Sequence, residues 1–97
     1  LAVPGIGGFI IVPYDLSASM GIPGQFDDPV FLECMETIRS TARRMGVPSG
    51  IHLVEPDVAA LRQAVADGYS VIAYGVDFRF LDVTARLGVS AMRELLS

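Results

Sequence analysis

Three groups of acidic side chains each follow a short apolar run directly. Asp15 comes after Phe9–Val12 by way of Pro13 and Tyr14, Glu55 and Asp57 come after Ile51–Val54, and Asp77 comes after Tyr69–Tyr74 and Gly75. In α/β barrels and open α/β sheets, ligands bind and chemistry occurs just past the C-terminal ends of the strands. Asp15 is therefore the first candidate for a functional residue. Spacing alone leaves a second reading open, in which Asp15 caps a short helical turn beginning at Leu16, a position that Asp favours. All seven basic residues are Arg and there is no Lys, so the chain cannot supply the amine of a Schiff base. Carbonyl chemistry here requires a metal or another electrophile.

The remaining reactive side chains read more simply as structure. His52 is the only histidine; it lies in an apolar strand, where a packed, hydrogen-bonded role outweighs proton transfer. Cys34 is the only cysteine and sits in a helical pattern as a small core residue without a basic neighbour. An intrachain disulfide is excluded, which fits a reducing, cytoplasmic setting. Glu55 and Asp57 bracket Pro56 and start a helix. Asp77 and Arg79 suit an internal ion pair or a loop cap. Met20, Met35, Met45 and Met92 read as packing residues.

The elements that position these residues alternate. The run Phe9–Val12 is apolar throughout, as in a strand buried on both faces, and Pro13 ends it. A loop with Gly21, Pro23 and Gly24 as breakers spans Ser17 to Asp28. Asp28-Pro29 opens a helix whose stripe is Phe31, Cys34, Met35, Ile38, Ala42 and Met45, ended by Gly46. Strand Ile51–Val54 follows. A helix from Pro56 to Asp67 comes next, with Val58, Leu61, Ala64 and Val65 as its stripe. Tyr69–Tyr74 is the third strand, and Phe80–Leu96 is helical with an interruption near Gly88. Strand–helix alternation of this kind builds a parallel sheet with right-handed crossovers. The fold expected is α/β: three consecutive βα units of a (β/α)₈ TIM barrel, a fragment of a larger barrel of about 250 residues.

The chain has 97 residues, a hydrophobic fraction of 52% and a mean hydropathy of +0.50, high for so small a surface-rich domain. No apolar run reaches the roughly 18 residues of a membrane span. The opening Leu1-Ala2-Val3-Pro4-Gly5 lacks an initiator Met and a basic region, so it reads as a chain cut from something longer rather than a signal peptide. A net charge of −4 argues against nucleic acid or an anionic membrane as partner.

The segment Gly8-Phe9-Ile10-Ile11-Val12-Pro13-Tyr14-Asp15-Leu16-Ser17-Ala18-Ser19-Met20-Gly21 resembles the strand-and-loop signature of the HpcH/HpaI aldolase family. These are metal-dependent 2-oxo-acid (pyruvate) aldolases related to citrate lyase β subunits. The resemblance continues through Gly46–Ile51 and Gly68–Asp77, and makes residues 1–97 the C-terminal segment of a TIM-barrel aldolase domain. It implies a divalent metal, Mg²⁺ or Mn²⁺ with Co²⁺ as a further candidate, held by Asp15 and by a Glu on the preceding strand. It also implies that the backbone amides of Tyr14 and Asp15 receive the carboxylate of a small-molecule 2-oxo acid. The family's catalytic His, its partner Asp and its substrate-binding Arg precede this segment, so no catalytic residue is expected here and the chain alone is expected to be inactive. Two positions depart from the pattern: Val12 stands where the family usually has Gly, beside the expected substrate carboxylate, and Gly7 where it usually has Asp. The resemblance further implies a homo-oligomer in which Leu81–Leu96 packs on a neighbouring subunit. Alternatives are a lyase of citryl- or malyl-thioester type and a non-catalytic module that self-associates or completes a barrel with another chain.

Overall fold

The computed structural model describes residues 4–97; Leu1–Val3 of the opening stretch lie outside the described residues. The elements are β1 (Phe9–Ile11), α1 (Pro13–Ser19), α2 (Pro29–Met45), β2 (Ser49–Leu53), α3 (Val58–Ala66), β3 (Val71–Tyr74) and α4 (Asp77–Leu96). The strands form one sheet in the order β1-β2-β3, with both pairings parallel. The expected α/β class and parallel strand–helix order are therefore present.

Register places Ile11 beside Ile51 and Ile51 beside Ile72. Ile11 and Ile51 form a buried cluster with Ala64 of α3 and Tyr69, and Leu16, Met35 and Ile38 from α1 and α2 pack against it. One sheet face is thus covered by helices. The other is not: Ile10 and Val71 are 52% and 48% exposed. This corrects the expectation of strands buried on both faces, because a single helical layer can cover only one side of the pleat.

Local sequence explains the element ends. Asp28 caps α2 by accepting from the amides of Val30 and Phe31, with Pro29 in the first turn, and Gly46 closes the helix at φ 65°, in the left-handed region. Asp57 caps α3 through the amide of Ala59.

Three sequence expectations are corrected. Residues 17–19 belong to α1 rather than to a loop, since Pro13 not only ends β1 but supplies the preset φ of a first helical turn. Helix α4 runs unbroken through Gly88, because one Gly costs only about 1 kcal/mol against a segment rich in Ala, Leu, Arg and Met. Met45 and Met92 are exposed rather than packed.

Helix α4 is about 30 Å long at 1.5 Å per residue. It has no buried residue, and the molecule has a long axis of 60 Å. Its apolar stripe, including Phe78, Leu81, Met92 and Leu95, is open. Its first turns are held by Phe80, whose ring lies over Gly75 and 5.9 Å from the Tyr74 ring, and by charge. Arg79 donates two hydrogen bonds of 2.9 Å to the Glu55 carboxylate and one of 2.7 Å to Asp82. Asp82 also accepts from Arg86 at 3.0 Å. Glu55 is therefore an anchor for α4 rather than a helix starter, and Arg79 pairs with Glu55 and Asp82 rather than with Asp77.

Hydrogen bonds from Arg86 and then Arg79 hold the Asp82 carboxyl below the usual carboxylate range. A depressed carboxyl stabilises the folded state above its unfolded value of 3.8, and that contribution is lost as pH falls through the lower folded value. Protection of the α4 amides, relative to their intrinsic exchange rates, is expected to fall as pH drops below about 4, and Arg79→Gln to blunt that change.

Candidate active site

The site is built where β1 gives way to α1. Val12 is extended, at φ −109° and ψ 96°, and its side chain makes no cap hydrogen bond. The first intrahelical bond runs from the amide of Leu16 to Val12 O, at 2.9 Å. Pro13 has no amide hydrogen, so the orphan donors of this helix start are the amides of Tyr14 and Asp15. No described residue accepts from either. Two adjacent free N–H groups, at the positive end of a helical turn and just past a strand's C-terminal end, suit an anionic oxygen. Asp15 is thus the third residue of α1 and not a cap before Leu16, which corrects the capping alternative.

Packing holds this turn in place. The Tyr14 ring meets Phe26 edge-on, with centroids 4.9 Å apart, and Phe26 lies 5.4 Å from Phe31 at the start of α2. Ser17 is completely buried. Its hydroxyl donates to Tyr14 O at 3.0 Å and accepts from the Gly24 amide at 3.0 Å, pinning the following loop onto α1. Sequence reasoning missed this residue because its two partners stand on opposite sides of it, the second seven residues away. Ser17→Ala leaves the Gly24 amide without its partner, so it is expected to cost about 1–3 kcal/mol. Urea denaturation, with exchange of the Gly24 amide followed by NMR, checks it.

The acids at the sheet edge divide sharply. Glu55 is tied to Arg79, Asp57 caps α3, and Asp77 accepts from the amide of Phe78 at 2.8 Å. Asp15 is exposed and has no ion partner among the described residues. Of these acids it is the one that no described residue engages. No group of three His, Cys, Asp or Glu side chains that could hold a cation gathers among the described residues. The donor type suits a hard divalent ion, while the donor number falls short of a full shell. His52 is hydrogen-bonded as expected, its Nε2 lying 3.2 Å from Gly75 O. A cavity of about 450 Å³ opens on the helix-covered side between α2, α3 and β2, lined by apolar groups such as Phe31, Met35, Leu53 and Ala60. Tyr14 touches its end but Asp15 does not line it, so it is a packing gap beside the polar site.

Three consecutive parallel βα units define a sector of an α/β barrel. The structural neighbours and homologues of this chain are aldolases of the HpcH/HpaI family. An HpcH/HpaI aldolase/citrate lyase family protein from Burkholderia cenocepacia J2315 superposes with a TM-score of 0.83 at 29% identity, over 93% of this chain and 34% of that one. An HpcH/HpaI aldolase from Desulfitobacterium hafniense DCB-2 gives a TM-score of 0.80 at 33% identity, over 96% and 36%. The 2-keto-3-deoxy-L-rhamnonate aldolase of Escherichia coli K12 is 40% identical over 77 residues, 79% of this chain and 28% of that enzyme; that of strain HS matches equally. No family model matches the chain. The chain therefore spans little more than a quarter of these curated relatives and about a third of the solved structures. No helix among the described residues is long and apolar enough to cross a membrane.

Proposed function

We propose that residues 1–97 are the C-terminal segment of a TIM-barrel aldolase domain. In this reading the domain cleaves a 4-hydroxy-2-oxo acid, of the 2-keto-3-deoxy sugar acid or 4-hydroxy-2-oxoheptanedioate type, to pyruvate and an aldehyde. The observation that carries this reading is Asp15, the one edge carboxylate without a partner, beside the two free amides of Tyr14 and Asp15. Asp15 would hold the divalent ion, Mg²⁺ or Mn²⁺ with Co²⁺ as a further candidate, which when bound supplies a Lewis acid for the keto group. The amides of Tyr14 and Asp15 would receive the substrate carboxylate. Val12 precedes them and narrows the space on that side. The proton-transfer group belongs to the part of the domain outside this chain, so none is assigned here.

The test is retro-aldol turnover followed by pyruvate release with Mg²⁺ present. The 97-residue chain is expected to show none, and the whole domain carrying it to cleave 2-keto-3-deoxy-L-rhamnonate or a related 4-hydroxy-2-oxo acid. Turnover by the purified short chain would overturn the assignment of the catalytic groups to the rest of the domain. Cleavage of a malyl or citryl thioester instead would favour the lyase alternative.

The open stripe of α4 supports a homo-oligomer in which Leu81–Leu96 lies against another copy. It equally supports the second reading, a non-catalytic module that self-associates or completes a barrel through its open sheet face. Light scattering checks both: a monodisperse monomer that unfolds cooperatively would remove them.

A further inference from the structure

The gap between α2, α3 and β2 is larger than packing alone leaves, since protein interiors hold few voids bigger than a water molecule. Its volume of about 450 Å³ lies within the range of small-molecule sites. Leu32 and Met35 of α2, Leu53 of β2 and Ala60 of α3 are among its apolar walls. It opens on the helix-covered side of the sheet, and Asp15 does not line it.

One end of this gap is polar. Tyr69, between α3 and β3, lines it and is 6% exposed. The Tyr69 hydroxyl has no hydrogen-bond partner among the described residues, and it is not among the side-chain atoms sealed from solvent, so it faces open space. Arg39 and Asp67 line the gap as well, and their charges act on the phenol together with that of Glu36. Burial, offset in part by Arg39, holds the phenol above its usual range, so at neutral pH it keeps its hydrogen and can donate it.

The charges at this end are already matched. Arg39 pairs with Glu36 and, at 3.2 Å, with Asp67, which also accepts from Gln63 at 2.9 Å. One guanidinium set between two carboxylates leaves an anionic head little net attraction. A neutral oxygen, by contrast, takes the phenol hydrogen without facing that repulsion.

We propose that this gap is a binding site for a small neutral amphiphile, an aliphatic chain carrying one hydrogen-bond-accepting oxygen. The chain lies against Met35, Leu53 and Ala60, and the oxygen accepts from the Tyr69 hydroxyl. This site is separate from the sheet edge and does not depend on the aldolase reading.

The probe is 2-octanone, added to the whole domain carrying this chain, with the Met35 and Met92 methyl signals followed by NMR. A saturable shift is expected at Met35 and none at Met92, which lies on the open stripe of α4. Tyr69→Phe keeps the ring and is expected to weaken binding about fivefold at an unchanged melting temperature. Ala60→Leu fills the gap and is expected to abolish the Met35 shift. Octanoate, with as many carbons but an anionic head, is expected to bind about tenfold more weakly than the ketone. No saturable shift in the wild-type domain, equal shifts at Met35 and Met92, or unchanged binding by Ala60→Leu would overturn the site. Equal affinity of Tyr69→Phe, or octanoate binding as tightly as 2-octanone, would overturn the assignment of its polar end.

Discussion

Gly50→Val is expected to destabilise the sheet severely. Gly50 is buried in β2, the central strand, between β1 and β3. A Cβ built there lies 2.8 Å from the backbone oxygen of Val71, 3.0 Å from Ile10 Cγ1 and 3.1 Å from Val71 Cβ. A flexible side chain could give way, but the first of these obstacles is backbone, fixed by the pairing of Gly50 with Val71. Alanine is already expected to cost about 1–3 kcal/mol by overpacking, and the two extra methyls of valine about 3 kcal/mol or more. A domain of this size is stable by only about 5–15 kcal/mol, so that loss is a large share. The control is Gly88→Ala, since a Cβ at Gly88 meets nothing within 4 Å and α4 is continuous there. That change is expected to stabilise by about 0.5–1 kcal/mol through helix propensity. Urea denaturation followed by circular dichroism reads both. Equal stability of Gly50→Val and the parent would show that β1 and β3 do not close over Gly50.

The same residues show where sequence was informative and where it was not. Pro13, Asp28-Pro29, Gly46 and Asp57 act through φ, a missing amide hydrogen or a short capping side chain, all local properties, so they marked the ends of β1, α2 and α3. The start of β2 at Ser49 rather than Ile51 was not legible, because Ser49 and Gly50 have little strand preference of their own. They are extended because Phe9 and Ile10 pair with them on one side and Val71 pairs with Gly50 on the other. Helix α1 was hidden for a related reason: its final turn looks like a loop until Ser17 is joined to Gly24.

In the candidate site, Asp15 was visible because a proline and an apolar run stand just before it. That Asp15 is the free acid of the edge was not visible. It depends on Arg79 reaching back 24 residues to occupy Glu55, a pairing without local periodicity. The open face of the sheet was also illegible, since an apolar run reads the same whether one or two helical layers cover it.

The largest effect on activity is expected from Asp15→Asn in the whole domain that carries this chain. Asp15 is exposed and has no hydrogen-bond or ion partner among the described residues, so removing its charge should leave the fold in place. Its structural contribution is that of an acid in the first turn of α1, worth about 0.3–1 kcal/mol through the helix dipole. If that were its whole role, turnover would be unchanged and the melting temperature would fall slightly. The proposed role predicts a different pattern. Asn keeps the size and one oxygen but loses the anionic ligand, and the stabilisation a metal gives a reacting carbonyl is several kcal/mol. The expected loss in kcat is therefore about a thousandfold or more, with a higher Mg²⁺ concentration needed for the activity that remains. Binding of pyruvate should weaken with kcat, because both depend on the same ion. Mn²⁺ titration followed by paramagnetic relaxation gives a readout independent of turnover, and a wild-type Mn²⁺ affinity in Asp15→Asn would remove Asp15 from the metal site. The backbone amides of Tyr14 and Asp15 are retained in this variant, so any residual affinity for a carboxylate measures what the start of α1 contributes without the side chain.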